Sequence, residues 1–435
     1  MDTQAKTYLR TLVYAALLGL PVAVAAVGFQ TLIHDVIHLV WEVVPDWLEW
    51  SEPPAWYVVL ATALAGVLVA AAVRLPGHGG HSPLEGLGME PLDPRHLVSI
   101  LPAALATLGL GIVLGPEAPL IALGLGIGVV AVRLVRYEGT EAKLLTLAGA
   151  FAAIAALFGG PIVAAFLLIE VAAASGEIPS RELGRALLPG FVAAGTGALV
   201  FTGVEDWPGV HQTQLALPAV PAYDTVKLAD LGWCLPVAIG VAGLVVAIRH
   251  LAHSIAARSA LRPVVALVGA GALVGLLAVA FRATADRPVD LVLFSGQSEL
   301  PALVAEGSAG VLALVVVAKG LAYGLSLGAG FRGGPIFPAL AIGVAAAVMA
   351  ADLLPGFATT PAIATGLAAG AAAALRIPFT AVLLATILLG PSAQDVAPIA
   401  VLAAATGWLA ATALPNPEDR TQAAAPATVE AGPAT

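Results

Sequence analysis

The sequence predicts an all-α polytopic membrane protein built from two homologous halves, and three observations carry that expectation. Of 435 residues, 59% are hydrophobic and only 11% charged, against roughly 25% charged in ordinary soluble domains, and the mean hydropathy is +0.95. Apolar stretches of spanning length, divided by Gly and Pro, recur along the whole chain. One such segment also returns: GPIFPALAIG at 334–343 matches GPEAPLIALG at 115–124 in five of ten positions, 219 residues further on.

Taken in order, the stretches that read as helices lie near 11–33, 56–73, 97–114, 117–135, 144–174, 185–203, 231–248, 262–281, 308–330, 336–354, 361–390 and 396–414, several of them short, broken or paired. Ala and Gly dominate them, and such small residues let helices approach closely in lipid. Lys6 and Arg10 precede the first stretch, whereas WEVVPDWLEWSEPP at 41–54 is acidic and offers Trp41, Trp47 and Trp50 as interfacial anchors. Basic before and acidic after places the N-terminus in the cytoplasm. A cleavable leader is the rival reading, since Ala23-Val24-Ala25 resembles a cleavage site, but the apolar run continues to Ile33 and favours a retained helix.

A second, weaker pair supports the duplication. Residues 149–168 and 366–385 place Pro161 and Pro378 at corresponding points, 217 residues apart. The halves are therefore expected at 1–203 and 229–414, joined by a linker at 204–228 that holds Glu205, Asp206 and Asp224. Residues 415–435 lose all apolar periodicity and read as a disordered tail, with no soluble regulatory domain expected after the last span.

Composition also excludes several functions. The net charge of −9 comes without a basic stripe, which argues against nucleic acid as a partner, and the single cysteine, Cys234, permits no intrachain disulfide or thiolate metal cluster. No cofactor is expected. His34 and His38 lie one helical turn apart, and His78 and His81 flank two glycines, yet no carboxylate-completed ligand set accompanies either pair. Interfacial histidines are the default reading, with His78 and His81 placed to tune a nearby site by pH.

Glu117 is the outstanding residue. It stands between Pro116 and Pro119 inside an apolar run, where a charge costs about 2.5–3.5 kcal/mol on insertion scales and so marks a functional site by default. Paired Gly- and Pro-interrupted segments at matching points of two halves also point to a transport site near the bilayer midplane.

Four segments resemble the CLC family of chloride channels and chloride/proton exchangers: GPEAP at 115–119, LFGGPIVAAFLLIEV at 157–171, KGLAYGLSLGAGFRGGPIFPALAIG at 319–343 and LRIPFTAVLLATIL at 375–388. They occur in family order over most of the chain. The resemblance implies a CLC-type fold of two inverted repeats with broken, tilted helices. It further implies a homodimer in the cell membrane, each subunit carrying its own pore, with helix N-termini aimed at a dehydrated anion.

The chemistry fits. A full positive charge would hold chloride too tightly, whereas a helix N-terminus offers bare N–H groups and about half an elementary charge. Gly115 and Ala118 beside Glu117, Gly80 and Ser82 in GHGGHSP at 77–83, and Ile336 and Phe337 after Pro335 are the candidate anion-binding positions. Glu117 itself is the expected gate, its carboxylate competing with the anion for one amide nest. Capping of its own helix is the plainer alternative.

Departures from the family pattern shape the functional expectation. Gly80 stands where a chloride-coordinating serine would be, so Ser82 or a backbone amide must substitute and other small anions become candidates. Pro335 removes one N–H, leaving Ile336 and Phe337 as donors. No tyrosine follows Tyr323, so the family's late pore tyrosine is absent. Glu170 is followed by Val171 rather than a second, proton-relaying glutamate, which favours a passive or loosely coupled pathway over chloride/proton antiport, the alternative. Glu170 reads as a structural carboxylate paired to backbone amides. Lys319 has two readings of equal weight, snorkelling to an interface and attracting the anion. A remote alternative is an intramembrane serine protease, because Gly324 to Gly328 satisfies G-x-S-x-G around Ser326 with His250 or His253 as base.

Overall fold

The computed structural model describes residues 3–175, 183–203, 217, 220–223 and 225–415. The first half comprises α1 (Thr3–His38), α2 (Val44–Trp47), α3 (Ala55–Ala72), α4 (Leu97–Gly109), α5 (Glu117–Val135), α6 (Gly139–Phe158), α7 (Pro161–Ser175) and α8 (Leu183–Gly203). The second comprises α9 (Leu228–Ser259), α10 (Pro263–Ala285), α11 (Leu300–Ala305), α12 (Ala309–Ala329), α13 (Ile336–Leu353), α14 (Thr359–Leu375), α15 (Pro378–Leu389) and α16 (Ala393–Ala413). Among the described residues nine helices are long and apolar enough to cross a membrane, and the all-α polytopic expectation holds.

Four sequence-derived elements need correction. The run 144–174 divides into α6 and α7 at left-handed Gly159, φ +66°, and 361–390 divides into α14 and α15 at left-handed Arg376, φ +59°. In each case a left-handed cap ends one helix, and Pro161 or Pro378, unable to donate to a preceding turn, opens the next. The run 97–114 stops at Gly109, leaving 110–116 without helix. The first helix extends through a π turn at Leu39–Val43 into α2, which carries Trp41 inward. Trp41 is buried, donates through Nε1 to Gly109 O at 3.1 Å and packs edge-on to Phe294. It is a core residue, while Trp47 stays 81% exposed as an interfacial anchor should.

The duplication is written into the packing. Gly124 on α5 crosses Gly149 on α6, and Gly343 on α13 crosses Gly366 on α14. In both crossings a Cβ on either glycine would overlap the backbone carbonyl of the other, so these helices meet backbone to backbone as small residues permit. The two interfaces stand at the same offsets that the sequence repeat shows.

The halves join at the two broken segments. Gly115 N donates to Gly334 O at 2.7 Å and Gly334 N to Gly115 O at 2.5 Å, an antiparallel bridge that sets the starts of α5 and α13 face to face. Ser326 on α12 holds the same loop, accepting from Val113 N at 3.3 Å while donating to Ala322 O. The described end of the linker is anchored: Tyr223 donates to Asp230 at 2.6 Å, Asp230 accepts from Ala358 N at the start of α14, and Leu217 N donates to Leu388 O on α15. The remainder of 204–228, and the tail after Pro415, lie outside the described residues.

Candidate functional site

α5 begins at Glu117 because Pro116 ends the irregular segment before it, and α13 begins at Ile336 after Pro335 for the same reason. The glycine bridge brings these two N-termini together, and Glu117 does not turn back on its own helix alone. Its carboxylate crosses to the other repeat, where Oε1 accepts from Phe337 N at 3.0 Å. The amides of Ile336 and of Glu117 itself also face the carboxylate. Glu117 is fully buried, and its Oε2 has no hydrogen-bond partner.

Glycine makes this arrangement sterically possible. A Cβ on Gly115 or Gly334 would overlap the Glu117 carboxylate, so the bridge residues must lack one. The ring of Phe337 packs against Phe158 at a tilt of 34°, with centroids 5.8 Å apart, and buried Tyr323 donates to Pro335 O at 2.9 Å. Tyr323 lies within electrostatic reach of Glu117. Its phenol, known from the sequence only as the last tyrosine, thereby belongs to the surroundings of the site.

Two cavities approach this point. One, about 440 Å³, has Leu114 and Pro116 in its wall together with Asp290, Gln297 and Glu299. The other, about 570 Å³, is lined by Gly80, His81, Ser82, Ala118, Arg332 and Gly333. Between Pro116 on one side and Ala118 on the other stands Glu117, with no exposed surface.

The candidate residues therefore separate. Glu117, Gly115, Ile336 and Phe337 meet at the junction. Ala118, Gly80 and Ser82 line the larger cavity. The amides of Gly115 and Gly80 are already engaged, with Gly334 O and, at 2.8 Å, with Gly77 O, so their contribution is space and backbone shape rather than an N–H. Glu170 is distant in role: Oε1 accepts from Phe379 N at 2.8 Å, and Oε2 from Thr380 N at 2.7 Å and from the Thr380 hydroxyl. It caps α15 from α7, as a structural carboxylate would, with Val171 packed against the core beside it.

Lys319 does not snorkel to an interface, the first of its two sequence readings. Its side chain is fully buried, and Nζ donates to the carbonyls of Val292, Leu293 and Phe294 at 3.3, 2.7 and 3.3 Å. It is a clamp on the turn before α11, with the charges of Glu299 and Asp290 nearby. Ser326, buried in α12 and back-bonded to Ala322 O, has the geometry of a packed helical serine rather than of a nucleophile on a strand-to-helix turn. Among the described residues no group of three or more His, Cys, Asp or Glu could hold a metal ion.

Sequence reasoning passed over Arg332. It precedes the glycines of the junction, its backbone N donates to Thr107 Oγ1 at 3.2 Å, and its guanidinium reaches back to the carbonyls of His81 and His78 at 3.2 and 3.1 Å. The signal was available: a charged residue between apolar stretches, the same test that singled out Glu117.

A family model for voltage-gated chloride channels matches residues 78–411, most of the chain. The chain belongs to that family. Curated relatives named YfeO, to which ion transport is assigned by name alone, are 29% identical over 363 residues, 82% of either protein, in Escherichia coli O17:K52:H18 and Shigella boydii serotype 4. A crystal structure of a slow cyanobacterial Cl−/H+ antiporter superposes with a TM-score of 0.77 at 19% identity, covering 96% of this chain and 99% of that one. A CLC-type fluoride/proton antiporter gives 0.65 at 18%, covering 92% and 95%. These likenesses establish the CLC-type fold of broken helices in inverted repeats, and the chain is a multi-pass membrane protein of the ion-transporting CLC family.

Proposed function

We propose that this CLC family member carries chloride, or a similar small anion, along a path from one cavity to the other, with Glu117 as its gate. The observation that carries the reading is the Glu117 carboxylate itself. It is a buried anion hydrogen-bonded at the N-terminus of a helix from the opposite repeat, between two cavities, and the place it fills suits a dehydrated anion. Protonation would remove the charge that holds it to Phe337 N–H, allowing the side chain to leave and an anion to replace it.

Val171 supports a passive or loosely coupled mode, because a valine beside Glu170 cannot relay a proton. The second reading is proton-coupled antiport, supported by the two structural neighbours that are antiporters by name. Function as a homodimer in the cell membrane, with the N-terminus cytoplasmic and halves at 1–203 and 229–414, completes the proposal. Reversal potentials in proteoliposomes under separate chloride and proton gradients test it. Nernstian chloride behaviour is expected, a reversal displaced by the proton gradient would select antiport, and no anion current or flux of any kind would overturn the transport reading.

A further inference from the structure

We infer that Arg332 forms an anion-capture subsite on the wall of the larger cavity, where a small monovalent anion such as chloride pauses before the Glu117 gate. The inference deepens the transport reading and rests on it.

The argument begins with an unbalanced charge. A guanidinium carries five N–H donors, and Arg332 uses two of them on the His78 and His81 carbonyls. Its Nε is buried against Gly79 without an acceptor, and among the described residues it forms no ion pair with a carboxylate within 4 Å. Half-buried cations are ordinarily paired. Arg332 has no such partner among the described residues, one N–H on each terminal nitrogen stays uncommitted, and it lines the same cavity as Ala118 and Gly333.

The rest of the cavity does not neutralise it. Asp93 is occupied by Arg95 N at 3.0 Å and by Arg133 at 3.6 Å, and Glu85, the acid nearest in electrostatic terms, stands 3.9 Å from His81 with its side chain 70% exposed. Glu90, His78 and His96 complete the titratable lining. The guanidinium is also fixed in place, because its backbone is tied to Thr107 and its two terminal nitrogens to one loop. A preorganised cation with spare donors in a cavity wall binds anions by charge and N–H donation together. Its placement compensates for Gly80, which has neither a hydroxyl nor a free amide to offer.

Bracing of the 78–81 loop is the competing role, and charge distinguishes the two. R332K keeps the cation but cannot span two carbonyls, whereas R332Q loses the cation. In proteoliposomes of the full chain, the chloride concentration giving half-maximal flux should rise about threefold to tenfold in R332Q, stay within about twofold of wild type in R332K, and fall in E85Q, with maximal flux little changed in all three. Equal shifts in R332K and R332Q, or none in R332Q, would overturn the subsite. Should R332Q fail to fold, the decision passes to R332K and E85Q: unchanged affinity in E85Q together with a large loss in R332K overturns it. A wild type that moves no chloride would sink the transport reading separately. Chloride titration calorimetry of purified protein then decides the subsite alone, with binding in wild type that is lost in R332Q supporting it and identical or absent binding in both overturning it.

Discussion

Glu117 and Glu170 make an instructive pair. Each carboxylate crosses from the first half to cap the N-terminus of a helix in the second, Glu117 on α13 and Glu170 on α15. They differ in how completely they are satisfied. Both oxygens of Glu170 are engaged, by two amides and a hydroxyl, and such a carboxylate has no reason to leave. Glu117 has one engaged oxygen and one with no partner, buried in an apolar junction. An unsatisfied buried acceptor costs about 1–3 kcal/mol, more when charged, so its bound position is held only weakly. On the proposed reading, one device serves as a latch when saturated and as a gate when half-saturated.

The largest effect should come from removing the charge at the proposed gate. Glu117→Gln keeps size and loses the charge-assisted bond, worth about 1.5–3 kcal/mol, so chloride flux at neutral pH should rise on the order of tenfold or more. Its pH dependence should flatten, whereas wild-type flux should increase as pH falls and the carboxylate is neutralised. Unchanged flux and pH profile in a folded variant would reduce Glu117 to a second latch.

Gly334→Ala approaches the same point sterically. The new Cβ takes the space of the Glu117 carboxylate, which is also the space proposed for the anion, so flux should fall by roughly severalfold, and adding Glu117→Gln should not restore it, since the methyl stays in the shared position. A flux in the double variant as high as in Glu117→Gln alone would break the argument that the two changes act on a common position.

On the latch the expectation reverses. Glu170→Gln should lower unfolding stability by about 1.5–3 kcal/mol, read as a lower melting temperature in detergent, while flux per folded protein and its pH profile stay as in wild type. A change in pH dependence would instead draw Glu170 into the transport path. Smallest of all, Thr380→Ala removes one of the three donors to Glu170 and should cost about 1 kcal/mol in the same assay, with no functional change.

Much of this molecule was legible in its sequence because membrane chemistry is severe. Apolar runs must become helices when no water can satisfy the backbone, so the spans around α3, α5, α10, α12 and α13 could be read directly, whereas α9 runs to Ser259, well past its expected end at 248. Glu117 could be singled out for the same reason, as a charge that hydrocarbon penalises, and the 219- and 217-residue offsets announced the repeat. Breaks within a run were less legible: some stretches read as broken or paired, but the break points inside 144–174 and 361–390 were not placed, because left-handed caps at Gly159 and Arg376 leave little mark on hydropathy.

The partners of each polar group were decided by tertiary structure alone. Hydropathy reports that Lys319 is costly to bury, but only the turn at 292–294 supplies the three carbonyls that absorb it. A sequence can place Arg332 next to two glycines. That its guanidinium folds back on His78 and His81, more than 250 residues earlier, follows from how α4 and the junction pack. The repeat itself determined that two helix N-termini would match. Their meeting depended on the Gly115–Gly334 bridge, because only residues without a Cβ leave room for the Glu117 carboxylate between the two backbones.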